Sequence, residues 1–444
     1  MADQTPATGA ALDAAVIDRD HRHVITPWSA QANRPGFHIA GGKGAELWDH
    51  AGNRWIDFSS QLVNANIGYG HPRVVEAIQR QAATLATIQP STANLARAEA
   101  AEAILRHTPG AFSKILFTNA GADAVENAIR LARLATGRDK VVSFYRSYHG
   151  NTGAAIVATG DWRRIPNEYA RGHLHVFGPY LYRSEFGAAT PEEESARALR
   201  HLRRTVEAEG PETIAALLFE TIPGTAGVLV PPPGYLKGVR QIADEFGIVL
   251  ILDEVMAGFG RAGSWFAFEQ FDVMPDLITF AKGVNSGYVP AGGVAVSEPI
   301  ADLFEHRVFP GGLTYSGHPL AMAAIAANIA VMEEEALPAR AARLGAEVIR
   351  PALESIAQEN PLVGEVRGRV AFWAAELVRD QSTRAPAAPA TMALVGRLAR
   401  ERGILPIIAE NRIHIAPPLV MEPEQALRGL EILKDVLAGA VPTS

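Results

Sequence analysis

Apolar residues gather in short, nearly continuous runs instead of alternating with polar ones. The runs are "KILFT" (114–118), "KVVSFY" (140–145), "AAIVAT" (154–159), "AALLFE" (215–220), "IVLILDEV" (248–255), "DLITFA" (276–281) and "GGVAV" (292–296). A strand covered on both faces needs such a run, whereas a strand with one wet face alternates. Between several runs the period changes to that of a helix, as in "DAVENAIRLARLA" (123–135) and "GYLKGVRQIADEFG" (234–247). This alternation predicts an α/β domain built on a mostly parallel sheet flanked by helices. Ligands of such sheets gather at the carboxyl ends of the strands.

The two ends of the chain are patterned differently. "GAELWDHAGNRWIDFSS" (44–60) predicts a hairpin, with a Trp in each arm and the turn-forming "HAGN" between them. Past residue 330 come helical segments, then "EVRGRVAFWAAELV" (365–378), the Pro/Ala-rich "TRAPAAPA" (383–390), and a last helix in "EPEQALRGLEILKDVLAG". The expected division is an N-terminal arm (1–35), a large central domain (76–330), and a smaller α+β domain assembled from 36–75 and 331–444.

Composition narrows the function classes. The 444 residues are 48% hydrophobic and 20% charged, ordinary for a globular protein. A net charge of −7 argues against nucleic acid or an anionic membrane as partner. There is no cysteine, so disulfides, thiolate zinc sites and thiol nucleophiles are excluded. No basic leader or membrane-length apolar run is evident, and a cytoplasmic location is expected.

Four features then suggest one chemistry. Lys282 follows the apolar run "DLITFA". Read alone it is more readily a solvated lysine opening a loop, but a desolvated amine is the residue type that forms Schiff bases with carbonyls. Asp253 ends "LILD"; by itself it suits a turn, and against a pyridine nitrogen a carboxylate keeps that nitrogen protonated. The spacing of 29 residues lets Asp253 and Lys282 end two strands of one sheet. "TNAGADAVENAIRLAR" (118–133) offers a glycine and a helix start suited to a phosphate. Tyr148 in "SYHG" stands at a strand end, where a ring can stack on a flat ligand or simply join the core.

Three other patterns carry little. "GFGRAG" (258–263) spells a dinucleotide fingerprint, but "DEVMA" separates it from its strand and no evident helix follows. "GFHIAGGKG" (36–44) breaks the P-loop spacing and lacks its hydroxyl residue. His21 and His23 lie in a polar arm as solvated residues, and no metal is expected.

Taken together, "LILDEVMAGFGRAG…PDLITFAKGVNSGYVPAGGVAVS", "TNAGADAVENAIRLAR", "YHG" and "GGLTYSGHPLA" resemble the class III pyridoxal-phosphate aminotransferases of fold type I, from about residue 20 to near the C-terminus. The resemblance implies pyridoxal 5′-phosphate as cofactor, an amine donor and a keto-acid acceptor, and a homodimer with shared active sites. It implies that Lys282 anchors the cofactor and moves the substrate proton, and that Asp253 pairs with the pyridine nitrogen. Tyr148 and Val255 would flank the ring, the backbone of Gly121 and Ala122 would hold the phosphate, and Thr314 would reach that phosphate in the partner subunit's site. Glu220 matches an acid beside the cofactor, while Leu62, Val63 and Arg412 are expected near the substrate.

The chain departs from the family pattern where relatives often carry serine, here Ala120 and Ala122, and where many carry a bulky aromatic, here Val63. Many also place an arginine at the position of Ile407. "WSAQ", "DFSSQLVN" and "NRIHIAPPL" lean toward ω-amine and taurine- or β-alanine-type members. The expectation is an ω-aminotransferase. An aminomutase or decarboxylating relative, and a catalytically silent cofactor-binding protein, are the alternatives.

Overall fold

The computed structural model describes residues 9–441. Seven strands form the central sheet, in the spatial order Phe112–Thr118, Gly292–Ser297, Leu277–Phe280, Val249–Asp253, Ile214–Glu220, Lys140–Phe144 and His173–Val176. The last five run parallel to one another. Gly292–Ser297 is antiparallel to both of its neighbours. Six of these strands lie in the apolar runs, and Ile214–Glu220 is buried at every position, as a strand with two covered faces must be.

Two elements depart from the pattern. "AAIVAT" is not a strand but the helix Gly153–Ala158, which packs on the helix Gly121–Thr136. Six residues with Ala155 to Ala158 all buried display no helical period, and the alanines favour helix over strand. The strand His173–Val176 escapes the pattern because "HLHV" is short and half polar; its pairing with Lys140–Phe144 defines it.

Parallel register builds the site. Glu220 stands opposite Asp253, and Asp253 opposite Thr279, so three neighbouring strands deliver these residues as one row at their carboxyl ends. Lys282 follows two residues after the Leu277–Phe280 strand ends.

The hairpin is present as Glu46–Trp48 paired antiparallel with Arg54–Asp57. Its second strand takes Ile404–Leu405 as a parallel neighbour, and Phe372–Asp380 lies at the centre of a further C-terminal sheet. One apolar core joins Ala45, Ile56 and Phe58 to Leu353, Trp373, Ile413 and Leu433. "GFGRAG" has a structural use. Arg261 is fully buried and donates to the carbonyls of Ala371 (3.1 Å) and Pro417, to Ser60 Oγ (3.1 Å) and to Asn66 Oδ1 (2.7 Å). One guanidinium thus ties the central sheet's loop to both terminal segments. Among the described residues no helix is long and apolar enough to cross a membrane.

Candidate active site

A cavity of about 460 Å³ opens at the carboxyl ends of the strands. Leu62, Gly121, Ala122, Tyr148, Glu220, Asp253, Val255 and Lys282 all line it. Residues separated by as many as 220 positions thereby meet around one space.

The acids are held from behind. Asp253 is buried, and its Oδ2 accepts from His149 Nδ1 at 2.7 Å while its Oδ1 accepts from the Val255 amide at 3.0 Å. The other ring nitrogen of His149, Nε2, is buried without a partner. Glu220 accepts from the amides of Tyr148 (3.1 Å) and Gly224 (2.8 Å), bracing two loops at once. Burial pushes the Glu220 carboxyl up to about 7; His149 opposes the rise and Asp253 adds to it.

Lys282 has its amine in this row. Burial pulls its pKa below the ordinary lysine value, Asp253 and Glu220 push it back, and Arg163 adds to the fall. A depressed amine spends more of its time unprotonated, which nucleophilic attack and proton abstraction both require. Lys282 also sits at φ 47°, a left-handed conformation that costs a branched-at-Cβ or long side chain energy and that recurs at functional sites.

The helix Gly121–Thr136 points its N-terminus at the same space, and no side chain caps it. Its free amides and positive dipole end suit a phosphate. Glycine gives close packing at its start, since a Cβ on Gly121 would press on both Val255 methyls at 3.0 and 3.1 Å and Val255 would have to give way. A Cβ on Gly150 would come within 2.5 Å of Ala122 Cβ. The alanines at 120 and 122 leave recognition to the backbone, since neither side chain can donate.

On the Tyr148 side a cation appears. The Arg163 guanidinium lies 3.7 Å from the Tyr148 ring centroid and 5.8 Å from that of Trp28. Asp161 orients it, accepting from Arg163 Nε at 3.0 and 3.1 Å.

Three expected residues lie elsewhere. Val63 is almost fully buried in a cluster with Ile222, Val228 and Phe372, against which Ile407 also packs. The kinked turn at Gln61 and Leu62 turns Leu62 outward to the cavity and Val63 inward. Arg412 pairs with Glu410 at 2.7 Å and does not line the cavity. Thr314 is exposed, apart from the cavity of its own chain. His149 and Arg163 are the residues that the pattern along the chain did not single out. His149 had a signal, its place in "YHG" one residue after Tyr148; Arg163 had none, since its significance comes from packing.

The ensemble fits pyridoxal phosphate on its own terms: a depressed amine, a carboxylate backed by a histidine, an orphaned buried nitrogen, an uncapped helix start, and a tyrosine ring, all facing one cavity. Comparison with known proteins agrees. The chain matches the family Aminotransferase class-III over residues 29–437. It is 33% identical to the putrescine–pyruvate aminotransferase of Pseudomonas aeruginosa, over 92% of each chain. It is 35% identical to a 4-aminobutyrate aminotransferase of Escherichia coli, over 87% of this chain and 90% of the relative. Among solved structures, the taurine:2-oxoglutarate aminotransferase of Bifidobacterium kashiwanohense, in complex with pyridoxal phosphate and glutamate, superposes with a TM-score of 0.93 at 37% identity, covering 98% of this chain and 99% of that one. An (S)-enantioselective ω-transaminase of Thermomicrobium roseum gives 0.90 at 35% identity, covering 98% and 99%. The chain belongs to the class III aminotransferases, enzymes that use pyridoxal phosphate to transfer amino groups.

Proposed function

We propose that this enzyme is an ω-aminotransferase, taking the amino group of a non-α amine or ω-amino acid of the taurine, β-alanine or 4-aminobutyrate kind and delivering it to a keto acid such as pyruvate. The observation that carries the donor class is the placement of positive charge. Arg163 and Arg412 are each paired with an acid and neither lines the cavity, but Arg163 stands over Tyr148 and acts electrostatically on Lys282, whereas the Ile407 position packs into an apolar cluster. An anion held on the Tyr148 side suits a donor whose acid group lies several bonds from its amine. The putrescine, 4-aminobutyrate and taurine enzymes among the relatives support the same reading.

Within the site, the amides of Gly121 and Ala122 would hold the phosphate, Tyr148 and Val255 would flank the ring, and Asp253, oriented by His149, would hold the proton on the ring nitrogen. The bound cofactor supplies an electron sink for the substrate carbon that loses its proton. Lys282 Nζ would anchor the cofactor, and its depressed amine would be the base that takes the substrate proton. Glu220 fixes the loop bearing Tyr148. Leu62 covers the mouth of the cavity, and two chains pair so that Thr314 serves the partner's phosphate.

A donor panel tests the proposal: taurine, β-alanine, 4-aminobutyrate, putrescine, 1-phenylethylamine and α-amino acids, each with pyruvate and with 2-oxoglutarate. Turnover of α-amino acids alone would sink the ω-amine reading. Donor-free turnover of an amino-aldehyde would point to an aminomutase instead. Arg163→Leu should raise KM for acidic donors by about tenfold, the effect of roughly 1.4 kcal/mol, while leaving KM for 1-phenylethylamine unchanged.

A further inference from the structure

Outside the lining of the central cavity, three side chains from separate elements converge. Asp13 belongs to the N-terminal helix Ala10–His23, His38 precedes the first strand of the hairpin sheet, and His50 sits in the hairpin turn. His50 Nδ1 is 2.9 Å from Asp13 Oδ1 and 3.2 Å from His38 Nε2, and His38 Nε2 is 3.7 Å from the same carboxylate oxygen. Each residue therefore offers one ligand-type atom, and the three atoms lie within 4.8 Å of one another.

A hydrogen-bonded arrangement leaves this cluster incompletely explained. One proton on His50 Nδ1 answers Asp13 but leaves His38 Nε2 facing the same donor from the side. A shared cation answers all three. Around a tetrahedral ion with ligands at about 2.0–2.1 Å, ligand atoms stand roughly 3.3 Å apart. The three separations here bracket that value. The Asp13 carboxylate is held in place by the protein, its Oδ1 accepting from the His50 amide at 3.2 Å and its Oδ2 from the Ala51 amide at 3.1 Å. Two imidazole nitrogens and one carboxylate oxygen select zinc-like transition ions over magnesium or calcium, which prefer all-oxygen sites.

We propose that Asp13, His38 and His50 form a site for a divalent ion of the zinc class, with its fourth position left to water, and that the ion clips the N-terminal helix to the hairpin. The arm beyond that helix carries Trp28 toward Arg163, so the clip also anchors one end of a segment that reaches the active-site side of the molecule.

The test is a titration of metal-free holoenzyme with Co²⁺, read by visible d–d absorption. One ion per chain with the intense bands of four-coordination, displaced by Zn²⁺, is the expected result. His38→Gln, His50→Gln and Asp13→Asn should each weaken binding by about 100-fold or more, since even loss of a supporting neighbour of a ligand costs up to that much. A His21→Gln/His23→Gln double variant should bind like the parent. Zn²⁺ should also raise the Tm of the parent but not that of His50→Gln, with circular dichroism confirming that each variant is folded. Absence of stoichiometric binding, or binding that survives in folded His50→Gln, would overturn the proposal and leave the cluster a hydrogen-bonded brace.

Discussion

Asp253 and Glu254 are adjacent, both buried acids, and their surroundings teach opposite lessons. Asp253 lines the cavity with a histidine behind it whose second nitrogen is buried without a partner. Glu254 turns away and is saturated by the protein: its oxygens accept from Thr221 Oγ1 at 2.6 Å and from the amides of Ala267 and Phe268 at 2.9 Å. The same contrast separates Lys282 from Arg261. Both are cations removed from water, but both terminal nitrogens of Arg261 are answered by four protein acceptors, only its Nε going without, and Lys282 lies among carboxylates at the edge of an open space. A buried polar group answered by its own chain fastens the fold; one left partly unanswered at a cavity wall binds and reacts.

Breaking each side should give separable failures. Lys282→Ala should lower turnover by about 10⁴-fold, the upper range for a lost acid–base group, and abolish the visible band of lysine-bound cofactor, with a urea midpoint no lower than the parent's. A variant that kept the band would refute the assignment of the anchor. Arg261→Met should do the reverse. It strands several buried acceptors, and the expected loss is about 3–5 kcal/mol of stability, read from urea unfolding, while the folded fraction retains its kcat.

The smallest effect is on pH dependence. Burial lifts both Glu220 and Glu254 to about 7 from an ordinary 4.5. In the window between those values the folded chain holds protons that the unfolded chain has released. Stability contributed by the two groups is therefore full at the acidic end and lost as the pH rises toward 7. Each contributes a slope of at most about 1.4 kcal/mol per pH unit. Glu254→Gln should flatten the fall of the urea midpoint between about pH 5 and 7.5; an unaltered slope would mean that Glu254 titrates normally.

Much of this arrangement was legible along the chain. The apolar runs gave the central strands, because strands covered on both faces need no partner information to be recognised. Lys282, Asp253, Tyr148 and Gly121 were legible because each ends or follows such a run, and parallel strands bring their carboxyl ends together. What escaped depends on contacts between distant segments. "AAIVAT" is six residues long with its last four helical positions all buried, so it shows no period that would tell its helix from a strand. Val63 is turned inward by a kink at Gln61 and Leu62 whose backbone no propensity announces. Arg163 and the Asp13–His38–His50 cluster exist only once segments tens of residues apart are folded against each other.

The left-handed backbone at Lys282 has a consequence for engineering. A residue at φ 47° is comfortable as glycine or asparagine, and a lysine there holds strain of about 1–3 kcal/mol that the surrounding sheet and loops must absorb. The most reactive side chain thus occupies one of the least relaxed backbone positions. A library screened for heat resistance alone would reward replacing it and would drift toward sturdier proteins with no chemistry, so thermal selection on this enzyme has to be coupled to turnover at every round.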